Sequence, residues 1–202
     1  MRRRVDLVRR FTRAERWVHR ATASLMGVCL ATAACLYVAP LAELVGDRPL
    51  VVTVHVWCGL ALPVPLLLGL ASRAFRADAA RLSRFTAADR RWLRAVRARE
   101  ADRPAGKFNA GQKLYAQWTL GSMLVIVGTG LIMWLTHLAP AAWRTGATFV
   151  HDWLAAAIAL VVAGHIRMAW LDGEARRGMR TGLVERRWAE REHPNWQHPK
   201  AD

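Results

Sequence analysis

Charge is missing from this sequence over stretches that a soluble domain could not leave uncharged. No Asp, Glu, Lys or Arg occurs from Ala21 to Pro40, from Pro49 to Ser72, or from Leu114 to Trp143. Apolar runs of that length cross a hydrocarbon core of about 30 Å, which excludes a single soluble globular domain. Acidic residues are also scarce, with 15 Asp and Glu against 30 Lys and Arg and a net charge of +15 over 202 residues. Cysteine is rare: Cys29, Cys35 and Cys58 lie inside the apolar runs. They lack the spacing of a disulfide framework or an iron–sulfur cluster and read as small packing residues. No nucleophile–base pair, phosphate-binding loop or zinc spacing is present, so no catalytic centre is expected.

What is present is an alternation of apolar runs and arginine-rich flanks. The expected fold is an all-α membrane protein, a four-transmembrane-helix bundle forming one membrane domain over residues 1–202. Spans are placed at about 20–39, 50–72, 113–136 and 148–170. The fourth is the weakest, because Asp152 and Arg167 bound only 14 uncharged residues. An arginine near a helix end can snorkel its head to the interface, so this segment still reads as a span. Residues 1–20 carry a balance of +6, residues 73–113 of +8 and the tail from 167 of +2, while the other two connections hold only Arg48 and Arg144. The excess of Lys and Arg on cytoplasmic segments then places both termini, the 73–112 connection and the 171–202 tail in the cytoplasm. Nucleic-acid binding is not expected, since the basic residues flank apolar runs as topology requires and no helix-turn-helix or zinc pattern accompanies them. The charged start, MRRRVDLVRRFTRAERW, is too long for a signal peptide, and the first helix is expected to be retained.

Histidine carries the chemistry. His193 and His198 fall in a polar tail and His137 at an outer helix end, whereas His19, His55, His151 and His165 stand at or near membrane depth. Ionisable residues there are costly and usually face the bundle interior with a partner or ligand. His151 and His165 are 14 residues apart, about 21 Å of helical rise and within roughly 40° of the same direction. Topology sets His55 level with His151 on the outer side and His19 level with His165 on the inner side. Two facing pairs at two depths suit two b-type haems, each with axial nitrogens from two helices. Gly27, Gly59, Gly128, Gly130 and Gly164 thin the helix faces, which also serves ordinary close packing. A haem-free scaffold or transporter with packing histidines is the competing reading.

Several local sequences resemble the cytochrome b (gamma) subunit of membrane-bound formate dehydrogenase, within the bacterial di-haem cytochrome b561-like group. They are RWVH (Arg16–His19), HVWCGL (His55–Leu60), KFNAGQK (Lys107–Lys113), HDWLAAAIALVVAGHIRMAW (His151–Trp170) and GLVERRWAEREHPNW (Gly182–Trp196). The first departs from the family's more usual pattern, with Val18 before the histidine and Arg20 after it. The resemblance implies two haem b groups, the outer held by His55 and His151 and the inner by His19 and His165. It implies an electron-transfer subunit of the bacterial cytoplasmic (inner) membrane and its respiratory chain. Electrons would come from an iron–sulfur subunit with its own membrane helix, served by a molybdenum or tungsten formate dehydrogenase catalytic subunit. They would pass to a quinone, menaquinone or ubiquinone, bound by Asn109, Ala110, Gly111 and Gln112 beside His165. Cytochrome b subunits of hydrogenase, thiosulfate reductase or other molybdoenzymes use the same scaffold and stand as alternatives.

The quinone reading also has a physical basis. Asn109 and Gln112 offer amide donors, and Gly111 exposes backbone at a helix start. Reduction develops negative charge on the quinone oxygens, which such donors stabilise. Lys107 and Lys113 are either aids to that charge or interfacial anchors. Arg16, Arg20 and Arg167 are candidates to neutralise haem propionates, or else topology and headgroup anchors.

Overall fold

The structure is a computed structural model that describes residues 6–100 and 103–197. In chain order its elements are β1 (Leu7–Arg9), α1 (Arg13–Tyr37), α2 (Ala39–Val45), α3 (Arg48–Ala61), α4 (Val64–Gly69), α5 (Arg73–Ser83), α6 (Ala87–Arg97), α7 (Ala110–Trp134), α8 (Ala141–Leu171), α9 (Gly173–Thr181), β2 (Leu183–Glu185) and α10 (Arg186–Glu192). Four helical segments, Arg13–Tyr37, Arg48–Gly69, Ala110–Trp134 and Ala141–Leu171, are long and apolar enough to cross a membrane. The four expected spans therefore exist, with altered ends.

Local chemistry explains those ends. The α1 helix starts at Arg13, well before the apolar run, because Thr12 and Glu15 form a reciprocal capping box: Glu15 N donates to Thr12 Oγ1 and Thr12 N to Glu15 Oε2 (2.6 Å). The second span is not one helix to Ser72. Pro63 and Pro65 have no N–H to continue the ladder, so α3 ends at Ala61 and the chain restarts as α4. The fourth span runs unbroken for 31 residues through Asp152 and Arg167, about 46 Å of helix. Side-chain caps from Asp47, Ser72, Thr86 and Asp172 open α3, α5, α6 and α9.

The chain divides into two compact units. The first gathers residues up to Arg16, Leu70–Trp118 and residues from His165 onward. To the expected all-α architecture it adds an antiparallel ribbon, in which Val8 pairs with Val184 and Leu7 with Glu185. The flanks that read as a charged N-terminus and a polar tail thus fold together. Val8, Val184 and Ala189 are fully buried, Trp188 is nearly so, and Trp196 packs on them. Gly182 makes the join. Its φ is +89°, its carbonyl accepts from Arg10 N and Phe11 N (2.8 and 3.1 Å), and a Cβ there would stand 2.5 Å from the Phe11 carbonyl oxygen.

The second unit gathers Trp17–Gly69 and Thr119–Gly164. Its core is Cys29, Leu62 and Met123, flanked by Leu25, Met26, Cys58, Leu66 and Val127, so Cys29 and Cys58 serve as small packing residues. Large apolar side chains such as Trp57, Leu124, Trp153 and Leu160 are exposed, the outward-facing pattern of a polytopic membrane protein rather than of a water-soluble one.

Because only glycine fits at position 182, Gly182→Ala should destabilise the first unit by about 1–3 kcal/mol. Limited proteolysis should show faster cleavage in the 183–197 segment while the far-ultraviolet helical signal is kept.

Candidate functional site

His55 on α3 and His151 on α8 meet in the second unit. Their ring centroids are 6.2 Å apart with the planes at 64°. Both are half-buried and line one cavity of about 330 Å³, together with Val56, Val127, Gly130 and Trp134. Each ring is tied through Nδ1 to a threonine of a neighbouring helix. His55 Nδ1 lies 2.8 Å from Thr32 Oγ1 on α1, and His151 Nδ1 lies 3.0 Å from Thr129 Oγ1 on α7. Gly130 lets the His151 ring lie against α7, since a Cβ there would stand 3.3 Å from His151 Cε1.

These residues fit a prosthetic group with a metal held from two sides. Metal–nitrogen bonds of about 2 Å put two opposed imidazole centroids roughly 6 Å apart, the spacing found here. Among the described residues no group of three or more His, Cys, Asp or Glu side chains is arranged to hold an ion, and His55 and His151 offer two ring nitrogens at this cavity. The cavity's apolar walls and the cradle at Gly130 suit a flat apolar ligand.

The other two histidines fall in different units, His19 in the second and His165 in the first. His19 is exposed on α1. His165 on α8 is half-buried and stacks on Tyr115 of α7, with centroids 4.6 Å apart and planes at 12°. Of the three arginines singled out in the sequence, Arg16 donates to the Arg180 carbonyl (2.6 Å) and so caps the end of α9. Arg20 and Arg167 are exposed.

In the first unit Asn109 and Gln112 open α7 as another capping box. Gln112 N donates to Asn109 Oδ1 (2.9 Å) and Asn109 N to Gln112 Oε1 (3.0 Å). The amide oxygens are thereby used, which turns the remaining chemistry of both side chains to their NH2 groups. Ala110 is fully buried, and Gly111 lies over Trp92 of α6, where a Cβ would stand 3.5 Å from the indole.

The loop leading into this box is held carbonyl by carbonyl. Ala105 O accepts from Asn195 N (3.1 Å), Gly106 O from His193 Nδ1 (2.6 Å) and Lys107 O from Arg10 Nη2 (2.9 Å). His193, read from sequence as part of a polar tail, is buried beside Trp188 and Trp196. Both lysines of KFNAGQK are engaged in ion pairs. Lys107 is half-buried and pairs with Glu15 (3.1 Å) and Asp78, while Lys113 pairs with Asp89 (2.8 Å) and donates to Arg84 O. Burial alone would raise Asp89, but Lys113 and Thr86 hold its carboxyl below the usual range. Sequence reasoning missed Thr32, Thr129, Tyr115, Trp92, Glu15 and Asp78. The Thr-x-x-Glu spacing of Thr12 and Glu15 was the one available signal; the rest depend on contacts between distant segments.

Comparison with known proteins places these residues in a family. The family described as prokaryotic cytochrome b561 matches residues 10–182. The chain is 39% identical over 98 residues to the cytochrome b556(Fdn) subunit of the nitrate-inducible formate dehydrogenase of Escherichia coli K12, covering 45% of this chain and 43% of that relative. It is 36% identical over 96 residues to the formate dehydrogenase cytochrome b556 subunit of Haemophilus influenzae, covering 45% and 40%. It is 30% identical over 95 residues to the formate dehydrogenase cytochrome b556(fdo) subunit of Escherichia coli K12, covering 45% and 44%. In each case the matched stretch spans less than half the length of the curated relative.

The buried charges make the first unit sensitive to pH. Burial and the neighbouring Glu15 carboxylate push the Asp78 carboxyl up to about 6, against the pull of Lys107. The folded state then holds a proton that the unfolded chain has lost above about pH 4. Asp78 therefore favours folding most at low pH, and that contribution declines as pH rises towards about 6. Thermal melts of the solubilised chain between pH 4 and 7 should show this decline, and Asp78→Asn should remove it.

Proposed function

The chain belongs to the prokaryotic cytochrome b561 family, and we propose that it is the di-haem b membrane anchor and electron-transfer subunit of a formate dehydrogenase complex. The observation that carries this reading is the His55–His151 pair, two imidazoles from two helices with centroids 6.2 Å apart at one cavity. His55 and His151 would hold the outer haem, and His19 and His165 the inner one. The haems, when bound, supply one-electron transfer from one membrane face to the other.

This chain's own residues bind, orient and insulate. The α3, α7 and α8 walls give the outer site a mostly apolar lining, and Gly130 admits a flat ring against α7. At the other end, the NH2 groups of Asn109 and Gln112 donate to the carbonyl oxygens of a quinone, stabilising charge as it develops there. Gly111 lets the start of α7 pack on Trp92, the buried Ala110 and the clamped 105–107 loop keep the box in place, and the Tyr115–His165 stack supplies a flat neighbouring surface. Arg16, Arg20 and Arg167 remain the candidates to meet propionates or lipid headgroups, with the Arg16 guanidinium also donating to the Arg180 carbonyl.

The relatives' names support formate as the source of electrons, delivered through an iron–sulfur subunit with a membrane helix and a molybdenum or tungsten catalytic subunit. The basic flanks support cytoplasmic termini in the bacterial inner membrane, with residues 1–202 as one membrane domain. The quinone end then lies on the cytoplasmic side, where water supplies its two protons.

The purified chain should give a reduced-minus-oxidised spectrum of b type and two haems by pyridine haemochrome assay. His55→Ala or His151→Ala should each lose one haem, and His19→Ala or His165→Ala the other. Absence of b haem in protein isolated from haem-supplied cells would overturn the reading. In vesicles carrying the whole complex, turnover should alkalinise the side that bears the chain's termini. Proton uptake from the opposite side would sink the proposed orientation.

A further inference from the structure

Thr32 and Thr129 occupy equivalent places on two different helices, and both do more than pack. A threonine hydroxyl has one proton to give and lone pairs to accept with. Thr32 Oγ1 sits between two carbonyls of its own helix, Val28 O at 2.8 Å and Cys29 O at 3.0 Å. Thr129 Oγ1 sits in the same way between Val125 O at 2.9 Å and Ile126 O at 3.1 Å. A carbonyl can only accept, so the hydroxyl proton is directed at the helix backbone, the usual back-bond of threonine in a helix. The side of each oxygen that faces the imidazole is then a lone pair. His55 Nδ1, at 2.8 Å, and His151 Nδ1, at 3.0 Å, must therefore be the donors.

We infer that Thr32 and Thr129 are positioning residues that hold His55 and His151 as Nδ1–H tautomers and so keep both Nε2 lone pairs available to a single metal. The inference rests on the axial-pair reading given above. The arrangement resolves a problem that hydrocarbon imposes. An imidazole whose Nε2 carried the proton would present an N–H donor to a cavity walled mostly by apolar side chains such as Val56, Val127 and Trp134, where acceptors are scarce. Two threonines on separate helices, each using the same back-bond, set both rings alike. Hydrogen bonding from Nδ1–H also makes Nε2 a more basic ligand and fixes the ring plane.

The test uses the full chain carrying 15N-labelled histidine, first freed of haem and then loaded. In the haem-free protein, the ring nitrogen shifts of His55 and His151 should report protonated Nδ1 and bare Nε2. Thr32→Val and Thr129→Val, which keep shape and remove the hydroxyl acceptor while leaving the Cys29 and Ile126 backbone contacts of the rings, should each shift one ring towards a tautomer mixture, and Thr→Ser should restore it. In the loaded protein each Val variant should raise the potential of one haem, leave the other unchanged and alter the low-spin electron paramagnetic signal of that haem alone. Wild-type rings protonated at Nε2 would overturn the inference, as would Val variants with unchanged tautomer and potential. Failure of the underlying reading is distinct: His55→Ala and His151→Ala would then keep both haems. Should a Val variant not fold, the wild-type tautomers still decide the matter.

Discussion

Hydrocarbon offers no hydrogen-bond partners, and that single constraint governs how polar groups can exist inside this protein. Backbone groups are satisfied by helix formation. An imidazole at depth must find its partner on a neighbouring helix, and His55 and His151 find theirs on Thr32 and Thr129. Each threonine can serve because its own proton is already directed at backbone carbonyls. The pair thereby turns two rings towards one cavity without leaving a donor stranded. Small residues follow from the same requirement: Gly130 is where the His151 ring approaches the backbone.

Outside the apolar runs the physics changes from hydrogen-bond scarcity to charge surplus. Of the many basic side chains, Arg10, Lys107 and Lys113 are drawn inward, each for a definite reason. Arg10 lies over the Phe11 and Trp188 rings and holds the Lys107 carbonyl, Lys107 neutralises Glu15 and Asp78, and Lys113 neutralises Asp89. Burial draws the Arg10 guanidinium down to about 10, still well above physiological pH. Paired burial of this kind is a poor source of net stability but a strong source of specificity, since a lone buried charge would be costly. The consequence is a fixed entry into α7, which sets where the amides of Asn109 and Gln112 stand.

The second span shows what hydropathy leaves out: Arg48–Gly69 is long and apolar enough for the expected passage, but its internal break is not visible in the hydrophobic run. Pro49 to Ser72 carries no charge and reads as one continuous passage, yet Pro63 and Pro65 divide it into α3 and α4. The KFNAGQK segment shows the converse. Its lysines could be read as aids to quinone charge or as interfacial anchors, but their acidic partners lie 92, 29 and 24 positions away, beyond any local pattern. The ribbon formed by Leu7–Arg9 and Leu183–Glu185 was hidden for the same reason: three-residue strands at opposite ends of a chain leave almost no periodic trace.

The sequence by itself determined the number of membrane passages, the asymmetry of basic charge across them and the histidines worth attention. Hydrophobic runs and topogenic arginines act locally, through transfer free energies that each segment carries on its own. Tertiary structure decided which histidines meet, which hydroxyls govern them, and which cations are buried. Those outcomes depend on helices brought together from distant parts of the chain, where a hydrogen bond or an ion pair is settled by a few tenths of an ångström that no spacing rule contains.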